Sequence, residues 1–463
     1  MIESMRKYDD LVFGFIIYGA MFWGIAESQN SQFWMVYLLL VISFGIFHSL
    51  AITLLGVRNA LASQHSWAVI PAITVCYEYL RHLVTWCYDG SGLTFFLVGQ
   101  VVPLRLSRSF ASVGGIWLLS FVFAVFVHQL WIALLFRKVT LRRRLFRLGL
   151  LLVASAVAII TPIVGRPKTE ETSAVITVPF KLTQFAKPSV SAFISDVIRQ
   201  LRNEELTVLG VETTGTLDLA RNVIVSNDVE ASLWQELSER NNVSVLTGSW
   251  ITLAGRNDRV NSIVQYRNGE IVGIEPKHRL APFVESQPLG TESLISKGWI
   301  PKSAVRNAAP KADAEEFLRG FPRPQGVQTG VCYDIFFGPA YLNGLDLSHE
   351  FMTCSLDETY DDSGIFQWLS MQHSRIRAIE ARRSLVRCSL GGITAAFDPM
   401  GNEIEPIASR AGMNLYRVPI CRETTFYART GDWIVWLSFI VVGGWMLHGI
   451  MQRRVQRREA NVA

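Results

Sequence analysis

Six apolar blocks constrain this chain more than any other feature of its sequence. They lie at Leu11–Ala26, Phe33–Leu55, Trp67–Trp86, Val113–Phe136, Leu148–Val164 and Trp433–Ile450. Each is near the ~20 residues that a helix needs to cross a bilayer, with the first and fifth at the short end. The first block follows Arg6 and Lys7, as a signal peptide would, but more blocks follow at once, which favours a retained anchor. We therefore predict a multi-pass α-helical membrane domain at residues 1–165, and a last transmembrane helix with a basic tail at 432–463.

Basic side chains are concentrated beside two of these blocks. They are Arg137, Lys138, Arg142, Arg143, Arg144 and Arg147 after the fourth block, and Arg453, Arg454, Arg457 and Arg458 after the sixth. Because short basic loops stay in the cytoplasm, six crossings put both termini there and residues 166–431 outside. The net charge is only +5, and the basic clusters lack the interleaved aromatic residues that stack on bases. We therefore predict no nucleic-acid partner.

Residues 166–431 have the composition of a folded α/β domain. Strand-like runs lie at Ser173–Pro179, Thr207–Val211, Ser244–Trp250, Phe351–Ser355, Leu385–Leu390 and Ile393–Asp398, and helical periodicity at Ser191–Leu201, Val229–Arg240 and Phe366–Arg382. A turn at Asn268-Gly269 predicts a hairpin of Val260–Tyr266 with Glu270–Ile274. Residues 284–325 read as a long loop, which is usually functional or mobile. The alternation of strands with helices predicts an α/β sandwich and not an all-β domain.

Three side chains with complementary chemistry lie at or just past the ends of strand-like runs. Glu212 ends the run Val208–Val211, Lys277 follows the hairpin, and Cys332 follows the strand-like segment from Gly326 to Val331. A thiol with a pKa of ~8.5 is mostly protonated at neutral pH, so it needs a cation or a base nearby. The three residues together supply a nucleophile, a base and a cation.

This set predicts acyl transfer through a covalent intermediate. Cys332 would attack a carbonyl and hold the acyl group as a thioester, while Glu212 would move the proton. Lys277 and the backbone N–H of Tyr333 would stabilise the oxyanion. Each of these residues taken singly is weak evidence, because a cysteine that ends a strand is more often a small core residue.

The sequence gives no reason to expect a metal or an organic cofactor. Its six cysteines include no Cys-x-x-Cys pair, and no cysteine–histidine spacing fits a zinc site. It also lacks the glycine-rich nucleotide motifs and the His-Glu-x-x-His metal motif. An oxidising compartment would allow disulfides, and whether Cys354 pairs with Cys388 stays open.

Five segments together resemble the carbon–nitrogen hydrolase (nitrilase) superfamily, and more narrowly the apolipoprotein N-acyltransferases. Lys277–Glu285 is similar to that family's K-x-x-L-x-P-F-G-E block, and Val331–Asp334 to its I-C-Y-E block. Met371, Arg375, Arg377, Ala378 and Glu380 match its stretch around M-A-R-x-R-A-x-E. Ser112–Phe121 resembles G-G-x-W-G-V-S-F, and Glu78–Arg81 resembles E-W-L-R. The resemblance covers residues from about 67 to 410 and is stronger evidence than the three residues alone.

The resemblance implies an αββα sandwich on the periplasmic side of a bacterial inner membrane. It implies Glu212, Lys277 and Cys332 as the catalytic set, with Glu285 on a loop over the site and Tyr333 and Asp334 beside the nucleophile. It also implies two partners: a phospholipid that acylates Cys332, and an amine acceptor such as a lipoprotein N-terminus.

The chain also departs from the family pattern. Val211 stands where the family has proline, Asp334 replaces a glutamate, and Val284 replaces a glycine. These departures leave the acyl acceptor open. The chain also resembles the shorter TraB-type conjugal-transfer proteins in plan. Two alternatives therefore remain: a nitrilase-type amidase with water as the second nucleophile, and an idle scaffold in an envelope-spanning assembly.

Overall fold

The computed structural model describes most of the α/β domain and parts of the amino-terminal third. Apart from isolated positions, which include Glu285, the described residues are 14–19, 33–57, 66–84, 97–102, 104–135, 167–169, 171–184, 187–201, 205–212, 214–220, 223–226, 228–253, 259–281, 320–359 and 364–462. The apolar blocks Leu11–Ala26 and Leu148–Val164 and the predicted loop 284–325 therefore fall largely outside the described residues.

Within the described residues, the α/β domain contains two sheets. Their strands are β1 (Glu171–Val178), β2 (Leu206–Gly210), β3 (Gly215–Ala220), β4 (Val223–Ser226), β5 (Ser244–Leu253), β6 (Arg259–Arg267), β7 (Glu270–Pro276), β8 (Val327–Val331), β9 (Phe351–Asp357), β10 (Ser384–Leu390), β11 (Ala395–Phe397), β12 (Glu403–Ile404), β13 (Ala408–Arg410) and β14 (Met413–Ile420). The larger sheet has the order β13-β14-β1-β2-β5-β3-β4, with β6 and β7 branching from β5. The smaller sheet has the order β12-β11-β10-β9-β8.

Helices cover the outer faces of both sheets and continue beyond the domain. They are α1 (Phe33–Leu54), α2 (Ser66–Val84), α3 (Leu104–Leu135), α4 (Lys187–Leu201), α5 (Val229–Asn241), α6 (Gly338–Leu342), α7 (Ile365–Ala381), α8 (Phe426–Thr430) and α9 (Trp433–Val462). The strands and helices predicted from periodicity match these within a few residues. The sequence reasoning missed the strands β3, β4, β12, β13 and β14 and the short helices α6 and α8. Of these, β3 is only six residues long and contains an aspartate.

The two sheets pack face to face, and each has helices on its other side. Val175, Leu209, Val386 and Val418 belong to the apolar layer between the sheets. A second cluster, around Trp234, lies between the larger sheet and helices α4 and α5. A third cluster lies between the smaller sheet and helices α6 and α7. Strands buried on both faces read as nearly continuous apolar runs, which is the pattern of β1 and β2. The domain is therefore an αββα sandwich.

Four of the six apolar blocks coincide with the helices α1, α2, α3 and α9. Among the described residues, two helical segments are both long and apolar enough to cross a bilayer, Phe110–Leu130 and Trp433–Glu459. Two such segments are weak evidence, so the multi-pass domain at residues 1–165 stays a prediction. Exposed apolar side chains recur on one face of α1 at Leu38, Ile42 and Ile46, and α9 exposes Trp436 and Ile440.

Candidate active site

The predicted site residues meet at one edge of the sandwich because that edge collects the carboxyl ends of the strands. β1, β2, β5 and β3 run parallel in the larger sheet, and β8, β9 and β10 run parallel in the smaller one. Glu212 lies two residues beyond β2, Lys277 directly follows β7, and Cys332 directly follows β8. In open α/β sheets, the groups that bind ligands collect at this edge.

Cys332 sits in a sharp turn between a strand and a helix. β8 ends at Val331, and a 3₁₀-helix begins at Cys332 and runs to Phe336. The φ of Cys332 is +44°, in the left-handed region that residues other than glycine rarely occupy. Such a conformation costs roughly 1–3 kcal/mol and persists only where the surrounding structure enforces it. The side chain is partly exposed, while its neighbours Val331 and Tyr333 are buried.

Lys277 is held between two carboxylates. Its Nζ lies 3.1 Å from Oε1 of Glu212 and 2.7 Å from Oε2 of Glu285. All three side chains are at most 4% exposed. One ammonium therefore faces two acids in a dry site, where electrostatic interactions are stronger than in water.

Backbone and amide donors complete the binding of these two carboxylates. The N–H of Asp357, at the end of β9, donates to Oε2 of Glu212 at 3.1 Å. The N–H of Ala281 donates to Oε2 of Glu285 at 2.8 Å. Nδ2 of Asn261 donates to both acids, at 2.6 Å to Glu212 and 3.0 Å to Glu285. Asn261 therefore orients both carboxylates, and Glu212 is held in addition by the end of β9 in the smaller sheet.

Asn261 is a site residue that the sequence reasoning missed. It lies near the start of β6, whose antiparallel direction brings that end to the same edge as Glu212. The backbone carbonyl of Asn261 also accepts a hydrogen bond from the backbone N–H of Lys277, at 2.8 Å. The sequence did contain a signal for this residue. Asn261 lies two residues before Ile263, so both side chains point to the same face of β6, and Ile263 packs between the sheets.

The charge pattern fits a neutral thiol and a carboxylate ready to take a proton. Burial raises the pKa of Glu212, opposed by Lys277. Burial, reinforced by Glu212, raises the pKa of Cys332 well above its usual value, so the nucleophile rests as the thiol. Burial lowers the pKa of Lys277, but Glu212 and Glu285 outweigh it, and the ammonium stays charged. Burial raises the pKa of Glu285, but Lys277 and the N–H of Ala281 outweigh it, so this carboxyl stays ionised.

Asp334 fixes the turn at the nucleophile to the loop that follows Lys277. It is fully buried, and its Oδ2 accepts from the N–H of Val331 at 3.0 Å. Its Oδ1 accepts from the N–H groups of His278 and Arg279, at 3.1 and 2.8 Å. One carboxylate thereby sets the position of Cys332 relative to Lys277. Its burial raises the pKa of Asp334.

Tyr333, Cys354 and Cys388 are buried side chains that pack around the turn and in the core. The Tyr333 ring packs against Phe336 and Phe337, with ring centroids 5.5 and 5.3 Å apart. Cys354 and Cys388 are both buried and free, so the open question of their pairing is answered: they form no disulfide. Cys354 lies beneath the nucleophile, with its Sγ 4.0 Å from the carbonyl oxygen of Cys332.

An αββα sandwich with an acid, an amine and a thiol at its strand ends is the arrangement that the resemblance to the carbon–nitrogen hydrolases implies. Comparison with curated proteins finds similarity to apolipoprotein N-acyltransferases. The apolipoprotein N-acyltransferase of Pseudomonas syringae pv. tomato is 26% identical over 174 residues, 37% of this chain and 33% of the relative. That of Azotobacter vinelandii is 26% identical over 201 residues, 42% of this chain and 37% of the relative. That of Wigglesworthia glossinidia brevipalpis is 36% identical over 127 residues, which are 27% of this chain and 24% of the relative.

The resemblance to apolipoprotein N-acyltransferases is therefore confirmed, over a limited span. The chain spans about a third of the length of the curated relatives that it matches first. No family model matches it. None of these three relatives is a TraB-type protein, and that resemblance stays a prediction.

Solved structures with a similar fold are nitrilase-superfamily proteins. Saccharomyces cerevisiae Nit3, a member of branch 10 of that superfamily, aligns with a TM-score of 0.38 at 11% identity, covering 57% of this chain and 96% of its own. An amidase from Nesterenkonia sp. aligns with a TM-score of 0.35 at 12% identity, covering 54% and 91%.

Proposed function

We propose that this chain is a membrane acyltransferase that transfers an acyl group from a phospholipid to an amine through a thioester on Cys332. The observation that carries the proposal is a buried cluster of Glu212, Lys277 and Glu285 whose charges act on the thiol of Cys332, which is held in a strained turn. The sequence relatives are named apolipoprotein N-acyltransferases, which supports an amine as acceptor.

In the first half-reaction, Glu212 takes the proton of Cys332 as the sulfur attacks an ester carbonyl of the lipid. Lys277 and the N–H of Tyr333 stabilise the oxyanion. The ester C–O bond then breaks, Glu212 returns its proton to the departing oxygen, and a lysophospholipid leaves. Because the resting thiol is neutral, the carboxylate must move this proton in step with attack.

In the second half-reaction, an amine attacks the thioester and loses a proton to Glu212. The C–S bond breaks, and the proton returns to sulfur, so that an amide is released and the thiol is restored. Glu285 stays ionised throughout and keeps Lys277 charged. With water in place of the amine, the same steps would give an amidase-type hydrolysis, which is the alternative function.

The proposed location follows from the same chemistry. The domain at residues 166–431 would lie on the periplasmic side of a bacterial inner membrane, between helices anchored in the bilayer, with both termini in the cytoplasm. A site tethered in this way can reach the ester groups of the outer leaflet.

The test is to trap the acyl-enzyme. Purified full-length protein in lipid nanodiscs is incubated with a phospholipid labelled in its acyl chain, and intact mass and peptide mapping locate the adduct. We expect label on Cys332, absent from Cys332→Ser, and its discharge by a peptide with an S-diacylglyceryl N-terminal cysteine. Equal discharge by water alone would identify a hydrolase. No label above the Cys332→Ser background would refute the proposal.

A further inference from the structure

A polar cleft lies where the α/β domain meets the helices that continue beyond it. We call it the junction cleft, and the polar and aromatic residues that line it include Trp117, Arg279, Phe337, Arg377, Tyr427 and Asp432. Trp117 follows a break in α3, and Asp432 directly precedes α9. Because α9 begins as an apolar segment long enough to cross a bilayer, the cleft lies beside the first residue of that segment, Trp433.

The cleft is built from the same backbone segments as the candidate active site. Arg279 is two residues beyond Lys277, which an extended chain spans in ~7 Å. Phe337 is five residues beyond Cys332, or ~10 Å at the rise of a 3₁₀-helix. Asp334 accepts from the N–H of Arg279 at 2.8 Å and from that of Val331 at 3.0 Å. The cleft is therefore held at a fixed, short distance from the nucleophile.

Two arginines give the cleft its capacity to bind an anion. Arg279 is partly exposed, and its guanidinium carbon lies 5.1 Å from the centroid of the Phe337 ring. Arg377 is 1% exposed, and its Nη1 donates to Glu380. Its Nε has no hydrogen-bond partner among the described residues. An arginine fork matches phosphate geometry, and a buried unpaired N–H is costly unless a ligand or water satisfies it.

The remaining polar groups do not compete for that anion. Asp432 accepts from Nε1 of Trp117 at 3.0 Å and from the hydroxyl of Tyr427 at 2.6 Å. Burial raises the pKa of Asp432, so its negative charge is disfavoured there. The cleft has room for about 20 Å³, roughly the space of a single water. A phosphodiester is larger than this, so it would contact the cleft from outside, where Arg279 is partly exposed.

We propose that the junction cleft binds the phosphodiester of the acyl-donor phospholipid, with Arg279 contacting the phosphate and Arg377, which is ion-paired with Glu380, lining the same cleft. This inference rests on the proposed function, since it gives that lipid its anchoring point. The glycerol backbone then bridges the distance between the cleft and Cys332, which places an ester carbonyl at the sulfur. Arg279 acts as a binding residue for the donor and takes no part in the chemistry.

The test compares two donors of equal acyl-chain length. One is a phospholipid, and the other is a p-nitrophenyl ester, which has no phosphate. For Arg279→Gln we expect the half-saturating phospholipid concentration for Cys332 acylation to rise by about tenfold to a hundredfold, because a charge-assisted contact is lost. Acylation by the nitrophenyl ester should stay within about twofold of the wild-type rate. Arg279→Lys should weaken the phospholipid dependence less than Arg279→Gln, because lysine keeps the positive charge but cannot donate two parallel hydrogen bonds to the phosphate.

Arg240→Gln is the matched control, because it removes the same charge from an exposed position on α5 that pairs with Glu236. We expect no change with either donor. Equal losses of Arg279→Gln with both donors would show a structural or chemical role and overturn the proposal. An unchanged phospholipid dependence would overturn it as well.

A binding measurement separates this proposal from the proposed function. A fluorescent short-chain phospholipid is titrated into Cys332→Ser and into the double variant with Arg279→Gln, with inorganic phosphate and a diacylglycerol as competitors. Weaker lipid binding in the double variant supports the cleft even if no thioester ever forms. Displacement by the diacylglycerol and not by phosphate, with no effect of Arg279→Gln, would overturn it. Binding of phosphate alone would assign the cleft to a free anion and overturn the lipid assignment.

Discussion

Removing the amide of Asn261 should shift the pH dependence of acylation in a defined direction. Asn261→Leu keeps nearly the same volume but deletes the donor to Glu212 at 2.6 Å and to Glu285 at 3.0 Å. That donor lowers the pKa of Glu212, in opposition to burial. Its loss must therefore raise this pKa further and keep the base protonated to a higher pH.

The magnitude follows from the strength of hydrogen bonds to charged groups, ~1.5–3 kcal/mol each. One pKa unit corresponds to ~1.36 kcal/mol. Losing a hydrogen bond at the low end of this energy range therefore shifts the acidic limb of the pH–rate profile to higher pH by about one pH unit. Below that limb the acylation rate should fall about tenfold, while the plateau at higher pH is recovered. Oδ1 of Asn261 has no partner among the described residues, so its removal offsets part of the stability loss.

The assay measures the rate of Cys332 acylation by a p-nitrophenyl acyl ester between pH 5 and 9, with Cys332→Ser as the blank. Gln265→Leu is the control, because Gln265 is a buried amide of the same strand that bonds Ser244 and not a carboxylate. It should lower stability without moving the limb. An acidic limb that stays in place in Asn261→Leu, or moves equally in Gln265→Leu, would refute the reasoning.

Three further predictions concern the support of the site and its junction with the helices. Asp334→Asn removes the charge that accepts from three backbone N–H groups. We expect it to lower the free energy of unfolding by ~2–3 kcal/mol and to slow the labelling of Cys332 at least tenfold. Labelling at the wild-type rate would contradict this. Burial raises the pKa of Glu380 to about 7, so its stabilising contribution is full below the unfolded pKa and is lost as pH rises through about 7. The thermal midpoint of Glu380→Gln should therefore fall less than that of wild type between pH 5 and 8, and parallel curves would refute it. Gly115→Ala, at φ +63° with a Cβ 2.5 Å from the Tyr427 ring, should destabilise by more than ~1–3 kcal/mol, whereas Gly443→Ala, in open space, should be neutral in the same thermal assay.

The sequence by itself determined the parts of this protein that depend on local pattern. Apolar periodicity predicted most helices and strands, and the positions just past strand ends singled out Glu212, Lys277 and Cys332. The strands were found because most strands buried on both faces are apolar, and the polar groups that follow them lie at one edge of the sheets. The catalytic roles of the three residues stay predictions. The short strands β3 and β4 were not predicted, because they are stabilised by pairing with neighbouring strands and not by a strand-like composition of their own.

Only the tertiary structure decided which groups touch. The pairing of Lys277 with both Glu212 and Glu285, and the bridge from Asn261 between those acids, depend on strand register within the larger sheet and on the loop that carries Glu285. The junction cleft joins Trp117 to Asp432, which are 315 positions apart in the chain. Hydrogen bonds and pKa shifts depend on distances of a few ångströms and on burial, and neither is encoded in a local stretch of sequence.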